Sequence, residues 1–144
     1  GRLAHIQEAN TAWPTISNDL ENKLKQSQYI RLILVTPALF KHGWRPDWID
    51  KKTLQGSPPS CHNIKLKLCA IANQRWEAIS GWDLVDNKPR AVRRMVPAGS
   101  VYWFEVINGK ENLTNLWLHP ISDQKQDCLD GFGLAIPGIW ERKI

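Results

Sequence analysis

Residues 88–105 read KPRAVRRMVPAGSVYWFE. A basic run of Lys88, Arg90, Arg93 and Arg94 comes first. The turn Val96-Pro97-Ala98-Gly99 follows, and the chain then enters Val101-Tyr102-Trp103-Phe104. The aromatic and β-branched residues after the turn suit a strand half sunk in a core. Cations beside stackable rings on a folded scaffold also match the chemistry of a nucleic-acid surface. Strand alternation narrows that second reading. Half the large residues of 101–107 must point inward, so binding falls mainly to the arginines before Pro97. The plainer reading of the same residues is a core strand with a solvated arginine flank.

Upstream of this stretch, residues 91–96 form a strand and Asp86-Asn87-Lys88-Pro89 a turn. Residues 75–82 form another strand, with Trp76, Ala78, Ser80 and Trp82 on one side. Residues 64–72 alternate: Ile64, Leu66, Leu68 and Ala70 face one way, Lys65, Lys67 and Cys69 the other. Asn73-Gln74 is short enough to join these last two strands as a hairpin, although it lacks the usual glycine. Residues 55–60 (QGSPPS) form a loop, and Arg45-Pro46-Asp47-Trp48 one helical turn. Residues 29–35 (YIRLILV) are almost continuously apolar and read as a buried central strand. Ser17 is a helix N-cap. Ile16, Leu20 and Leu24 recur at helical spacing, with Asp19 and Glu21 early and Lys23 and Lys25 late, which predicts a helix over 18–26. Residues 3–12 fit a strand or an arm.

Downstream, Asn108-Gly109 turns the chain, and Leu113, Leu116 and Trp117 predict a second helix over 111–118. Residues 122–127 form a polar, mobile connection. A loop punctuated by Gly131, Gly133 and Gly138 leads into a last strand at Ile139-Trp140. Several strands and two short helices without βαβ alternation make an α+β protein with a largely antiparallel sheet.

The 144 residues suit a single domain. With 42% hydrophobic and 23% charged residues the chain is globular rather than disordered. Its net charge of +5 favours a polyanionic partner. Eight tryptophans point to core or interface anchors. Cys61, Cys69 and Cys128 form no CxxC pair, which argues against a disulfide framework and for a reducing cytoplasm. No apolar run is long enough for a membrane span. The chain opens at Gly1-Arg2-Leu3 without an initiator Met, and is read as the later part of a longer protein.

The candidate chemistry is sparse. Gly131, Gly133 and Gly138 match neither a dinucleotide fingerprint nor a P-loop, although glycines let a backbone approach a phosphate; a turn required by the fold is the plainer account. His5, His42, His62 and His119 are scattered, and only His42 beside Lys41 suggests a catalytic pair. Cys61-His62 with Cys69 and Cys128 fits no common zinc spacing, so no metal is expected. No paired carboxylates and no nucleophile elbow occur. Arg31, Lys65 and Lys67 are either phosphate contacts from the sheet or solvated residues.

Taken in order, LVTPALFKHGW (34–44), GWDL (81–84), KPR (88–90), Arg93-Arg94, VPAGSVYWFE (96–105), GFGL (131–134) and GIW (138–140) resemble one family. It is the third-subunit family of the Cmr effector complex of type III-B CRISPR systems, within the RAMP superfamily. The opening Gly1-Arg2-Leu3-Ala4-His5 resembles the end of a glycine-rich stretch near the middle of that family's chain, so the present sequence corresponds to its C-terminal half. The resemblance implies a ferredoxin-like (RRM-like) fold with two short helices and an extra β-hairpin. It implies a non-catalytic subunit without cofactors. Such a subunit holds the 5′ handle of CRISPR RNA and docks on the large polymerase-like subunit and the backbone RAMP subunit, in antiviral defence. The expected RNA contacts are Lys88, Arg90, Arg93, Arg94, Lys65, Lys67, Gly131 and Gly133, with Trp82 available for stacking. Pro137 departs from the fuller glycine run of RAMP proteins. Two other readings stand beside this one: a RAMP endonuclease using His42 and Lys41 on precursor RNA, and a purely protein–protein scaffold anchored by its tryptophans.

Overall fold

The computed structural model describes residues 13–143, apart from the side chain of Trp82. The strand or arm expected over residues 3–12, and His5 within it, lie outside the described residues.

Helix α1 spans Asn18–Gln26. Ser17 caps it, its hydroxyl accepting from the Leu20 amide at 3.3 Å. Acidic residues in the first turn and basic ones in the last complement the dipole, so this helix is specified locally. Strand β1, Tyr29–Leu34, follows and occupies the middle of the sheet, as its apolar run predicts. The short β2, Gln55–Gly56, precedes β3, Lys65–Ala72. Four short strands come next: β4 (Glu77–Ile79), β5 (Trp82–Asp83), β6 (Lys88–Pro89) and β7 (Arg93–Met95). Strand β8 spans Val101–Asn108. A 3-10 helix over Lys110–Leu116 leads to β9 (His119–Pro120), α2 (Lys125–Leu129) and β10 (Leu134–Ile139).

The main sheet has six strands in the order β2-β3-β8-β1-β10-β9, and every neighbouring pair is antiparallel. The molecule is therefore α+β with an antiparallel sheet and few, short helices. One face of the sheet is the core face. Ile30, Leu32 and Leu34 from β1, Leu66 and Leu68 from β3, and Tyr102, Phe104 and Val106 from β8 are buried there. Leu24 of α1 and Leu113 and Leu116 of the 3-10 helix cover them. Phe104 lies between Trp48 and Tyr102, with ring centroids 6.0 and 6.4 Å away. Fully buried Phe104 contributes roughly 1.5–3 kcal/mol by leaving water.

Four expectations are corrected. The hairpin joining 64–72 to 75–82 through Asn73-Gln74 does not form. Strand β3 pairs instead with β8, thirty residues later, and β4 and β5 pair with β7 and β6. The extra hairpin is thus Glu77–Met95, nested about the turn at residues 84–87. The alternation expected along β3 fails at Ala70, which is exposed, because a register shift falls between Leu68 and Ala70. The second helix is 3-10, starting at Gly109 with φ +87°. Leu113 and Leu116, three apart, meet the core on a three-residue turn as well as on an α-helical one. The polar stretch 122–127 is not a loose connection: Ser122 and Asp127 are buried, and α2 begins within it.

Pro137 sits inside β10, opposite Leu32. The Trp140 amide donates to Tyr29, and Leu134 accepts from the Val35 amide, so the even-numbered residues of β10 turn their polar groups toward β1. Pro137 faces the other way. Strand β9 pairs with β10 at Leu134 and Ala135, so among the described residues the missing N–H falls on an unpaired edge and costs no ladder bond.

Candidate nucleic-acid interface

Among the described residues the strands of the hairpin Glu77–Met95 pair only with one another, apart from the main sheet. Its base is tied to the body by two backbone hydrogen bonds of 2.9 Å between Ala38 and Val96. Nearly every described residue from Asn73 to Arg94 is exposed. At the tip, Leu84 and Val85 are 87% and 93% exposed.

The cations of this arm divide in three. Lys88 and Arg90 lie along the outer half, each near a carboxylate of the same arm. Lys88 is 3.1 Å from Asp86, and Arg90 is 3.9 Å from Asp83. Such exposed pairs contribute little to stability. The Asp83 carboxyl accepts from the Asp86 and Val85 amides, which holds it below the usual carboxylate range. Arg93 turns inward and makes two bonds of 2.7 Å to the carboxylate of Asp127. Asp127 is 5% exposed. Arg94 turns the other way, its guanidinium carbon 4.5 Å from the centre of the Trp76 ring. Strand alternation decides this. Arg93 shares its face with buried Met95, and Arg94 points to the opposite side. Two adjacent arginines are thus placed differently: Arg93 pins the hairpin to α2, and Arg94 lies against Trp76.

The glycine loop lies close to this pin. Arg90, Arg93, Asp127, Asp130 and Phe132 line one small cleft of about 140 Å³. The loop does not offer the amide cradle that a phosphate needs. The Gly131 amide donates to Cys128, Phe132 to Asp127, Gly133 to Pro37 and Leu134 to the Thr36 hydroxyl. Two carboxylates in the cleft also oppose an anion. Gly131 and Gly133 are structural instead, with φ values of +88° and +78°.

Lys65 and Lys67 lie elsewhere, on β3 within the main sheet. Lys65 is exposed, and half-buried Lys67 stands opposite Glu105 of β8. They do not join the hairpin cations on one strand pair. Arg31 runs across Gly138, which leaves room for it: its Nε lies 3.1 Å from where a Cβ would stand.

The other constellations are also placed. His42 Nε2 is 2.7 Å from Asp47, and this hydrogen bond is the main cause holding the Asp47 carboxyl below its usual range. Asp123 receives the Lys41 and Asp47 amides at 2.7 and 2.8 Å and so fixes that turn, while burial pushes its carboxyl up. Cys61 is buried 3.5 Å from His119, and burial pushes its thiol up, away from reactivity. No group of three or more His, Cys, Asp or Glu side chains is placed to hold a metal ion among the described residues. No helix among them is long and apolar enough to cross a membrane.

Sequence reasoning missed Trp44, Trp76 and Arg75. All three flank the hairpin base, in a concavity of about 310 Å³ shared with Asn73, Gln74 and Arg94. Trp44 and Trp76 are 48% and 50% exposed. The available signal was the excess of tryptophan next to arginine at Arg75-Trp76.

A family model described as CRISPR-associated protein (Cas_Cmr3) matches residues 1–140. No curated protein sequence matches the chain.

Proposed function

Since the chain belongs to the Cas_Cmr3 family of CRISPR-associated proteins, and so to the Cmr complex of type III-B systems, we propose that it is a non-catalytic, RNA-binding scaffold subunit of that complex. It helps to hold the 5′ handle of CRISPR RNA and docks on the large polymerase-like subunit and the backbone RAMP subunit. The observation that carries this reading is the exposed hairpin Glu77–Met95 with Lys88, Arg90 and Arg94 along it. A cationic arm that pairs only within itself can follow a phosphate backbone without sequence preference.

The fold supports a ferredoxin-like reading. Its four long strands run β3-β8-β1-β10, which is the order and antiparallel sense of a βαββαβ sheet. The 3-10 helix and α2 fill the second crossover, between β8 and β10. The first crossover, residues 35–64, carries only the short β2. A solvent-facing hairpin, α1 ahead of β1 and exposed Leu84, Val85 and Leu129 leave surfaces for neighbouring subunits.

Single-stranded RNA carrying the repeat-derived handle tests the RNA role. Replacing Lys88 and Arg90 together by alanine removes two phosphate contacts. The slope of log affinity against log salt then becomes shallower by about 1.4, and affinity near physiological salt falls roughly tenfold. An unchanged slope and affinity would remove the hairpin from the RNA path. Cleavage of repeat RNA by the wild type, lost in His42→Ala, would favour the endonuclease reading, for which the His42–Asp47 pair is the relevant geometry.

A further inference from the structure

We infer that the concavity at the hairpin base is a stacking slot for one unpaired nucleobase of a single-stranded RNA, with Trp76 and Arg94 as its platform. The inference rests on the RNA-binding reading above and goes beyond it, from phosphate attraction by the hairpin cations to capture of a base by other residues.

The slot has three elements that a nucleotide needs. The first is a flat apolar surface. Trp76 is half exposed although it flanks the start of β4, and Trp44 is half exposed in the same concavity. Leaving two indoles in water forfeits burial that a tryptophan in a core would gain, and stacking a base recovers it. The second is positive charge. Arg94 lies over Trp76 at 4.5 Å, and Arg75 lines the same space. Among the described residues no carboxylate lines it. A guanidinium already over an indole adds a cation to the stacking platform and can still reach a phosphate. The third is hydrogen-bonding capacity at a base edge. Asn73 and Gln74 are exposed amides on the rim, each offering a donor pair and an acceptor.

The size agrees. The space of about 310 Å³ is at the small end of ligand sites, which suits one nucleotide better than a folded protein element. A shallower depression of about 400 Å³ continues from it along β3, sharing Trp44 and Asn73. That depression gives the neighbouring nucleotide a way out. The slot is also held rigidly. The buried phenol of Tyr102 donates to the Trp44 carbonyl at 2.6 Å, and burial keeps that phenol protonated well past its ordinary range. On the other wall, Met95, Val96 and Pro97 are buried.

A protein side chain is the other class of occupant. Two arginines with no opposing carboxylate favour the polyanion.

The experiment uses single-stranded RNA of fixed length in which one abasic nucleotide is moved along the chain. Wild type shows one abasic position that weakens binding markedly. Trp76→Ala weakens binding to intact RNA by roughly 5- to 100-fold. It is also indifferent to the abasic nucleotide at that position, while the salt slope stays as in wild type. Trp76→Phe recovers most of the affinity. Because Trp76 is half exposed, an unchanged melting temperature confirms that the alanine variant is folded. Salt-dependent binding by wild type with no coupling between Trp76 and any position overturns the slot but leaves the RNA-binding reading intact. Loss of a partner subunit from the complex in Trp76→Ala, at unchanged RNA affinity, assigns the slot to protein. Absence of salt-dependent RNA binding in wild type removes both.

Discussion

Gly133→Ala lowers the stability of the fold by about 2–5 kcal/mol, the sum of two penalties. The residue has φ +78°, where a non-glycine residue costs roughly 1–2 kcal/mol. A Cβ there would also stand 2.5 Å from the Ser122 hydroxyl and 2.8 Å from the Ser122 amide. Ser122 is fully buried, and its hydroxyl accepts from the Leu39 amide, so it cannot step aside without losing that bond. Overpacking of this kind costs roughly 1–3 kcal/mol more. Gly131→Ala is the control. It has φ +88°, but nothing lies within 4 Å of its added carbon, so only the backbone penalty of about 1–2 kcal/mol applies. Urea denaturation measures both. Equal losses would mean that the glycine loop is not packed against Ser122. If the loop instead cradled phosphate, both variants would also lose RNA affinity beyond what their lost stability explains.

Arg93→Ala and Arg94→Ala, adjacent and chemically identical changes, produce opposite phenotypes. Removing Arg93 leaves the Asp127 carboxylate, with a side chain only 7% exposed, without its cation. Breaking a buried pair costs about 3–5 kcal/mol. The lower end, about 3 kcal/mol, applies here because the Arg93 side chain is 42% exposed. The hairpin also loses its pin to α2, so its amides exchange with solvent faster. Removing Arg94 changes stability by about 0.5 kcal/mol or less, as expected of a surface residue, but weakens RNA binding. Denaturation and RNA titration of the two variants separate these outcomes. A destabilised Arg94→Ala with a stable Arg93→Ala would reverse the assignment of faces.

Much of this arrangement was legible wherever the signal was local. Helix α1 carries its cap, its dipole charges and its apolar spacing within ten residues, so its bounds could be read directly. Strands β1 and β8 declared themselves by apolar density. What the residues of β3 could not declare was their partner. Alternation marks a half-buried strand but says nothing of which strand lies beside it, and β8 is reached only after the whole hairpin has been made. Proximity in sequence favoured residues 75–82, wrongly. The site followed the same rule. That Arg93 and Arg94 must face opposite ways follows from alternation, with Met95 showing which way is in. That Arg93 meets a carboxylate 34 residues further on does not follow, because Asp127 lies in a stretch whose polarity suggested solvent. Burial of Ser122 and Asp127 is offset by bonds to Leu39 and Arg93, and such partners exist only once the chain is folded.

Pro137 has a meaning for assembly as well as for the strand that contains it. Past Ala135 the outer border of β10 has no strand neighbour among the described residues, and an open border of that kind is where a foreign chain can add itself in the wrong register. Without a donor at its midpoint, the border is a poor template for a further strand. In a complex assembled from several subunits, such a residue works as quality control. It keeps this subunit from polymerising with its neighbours through backbone contacts, and leaves side-chain surfaces to decide who sits next to whom.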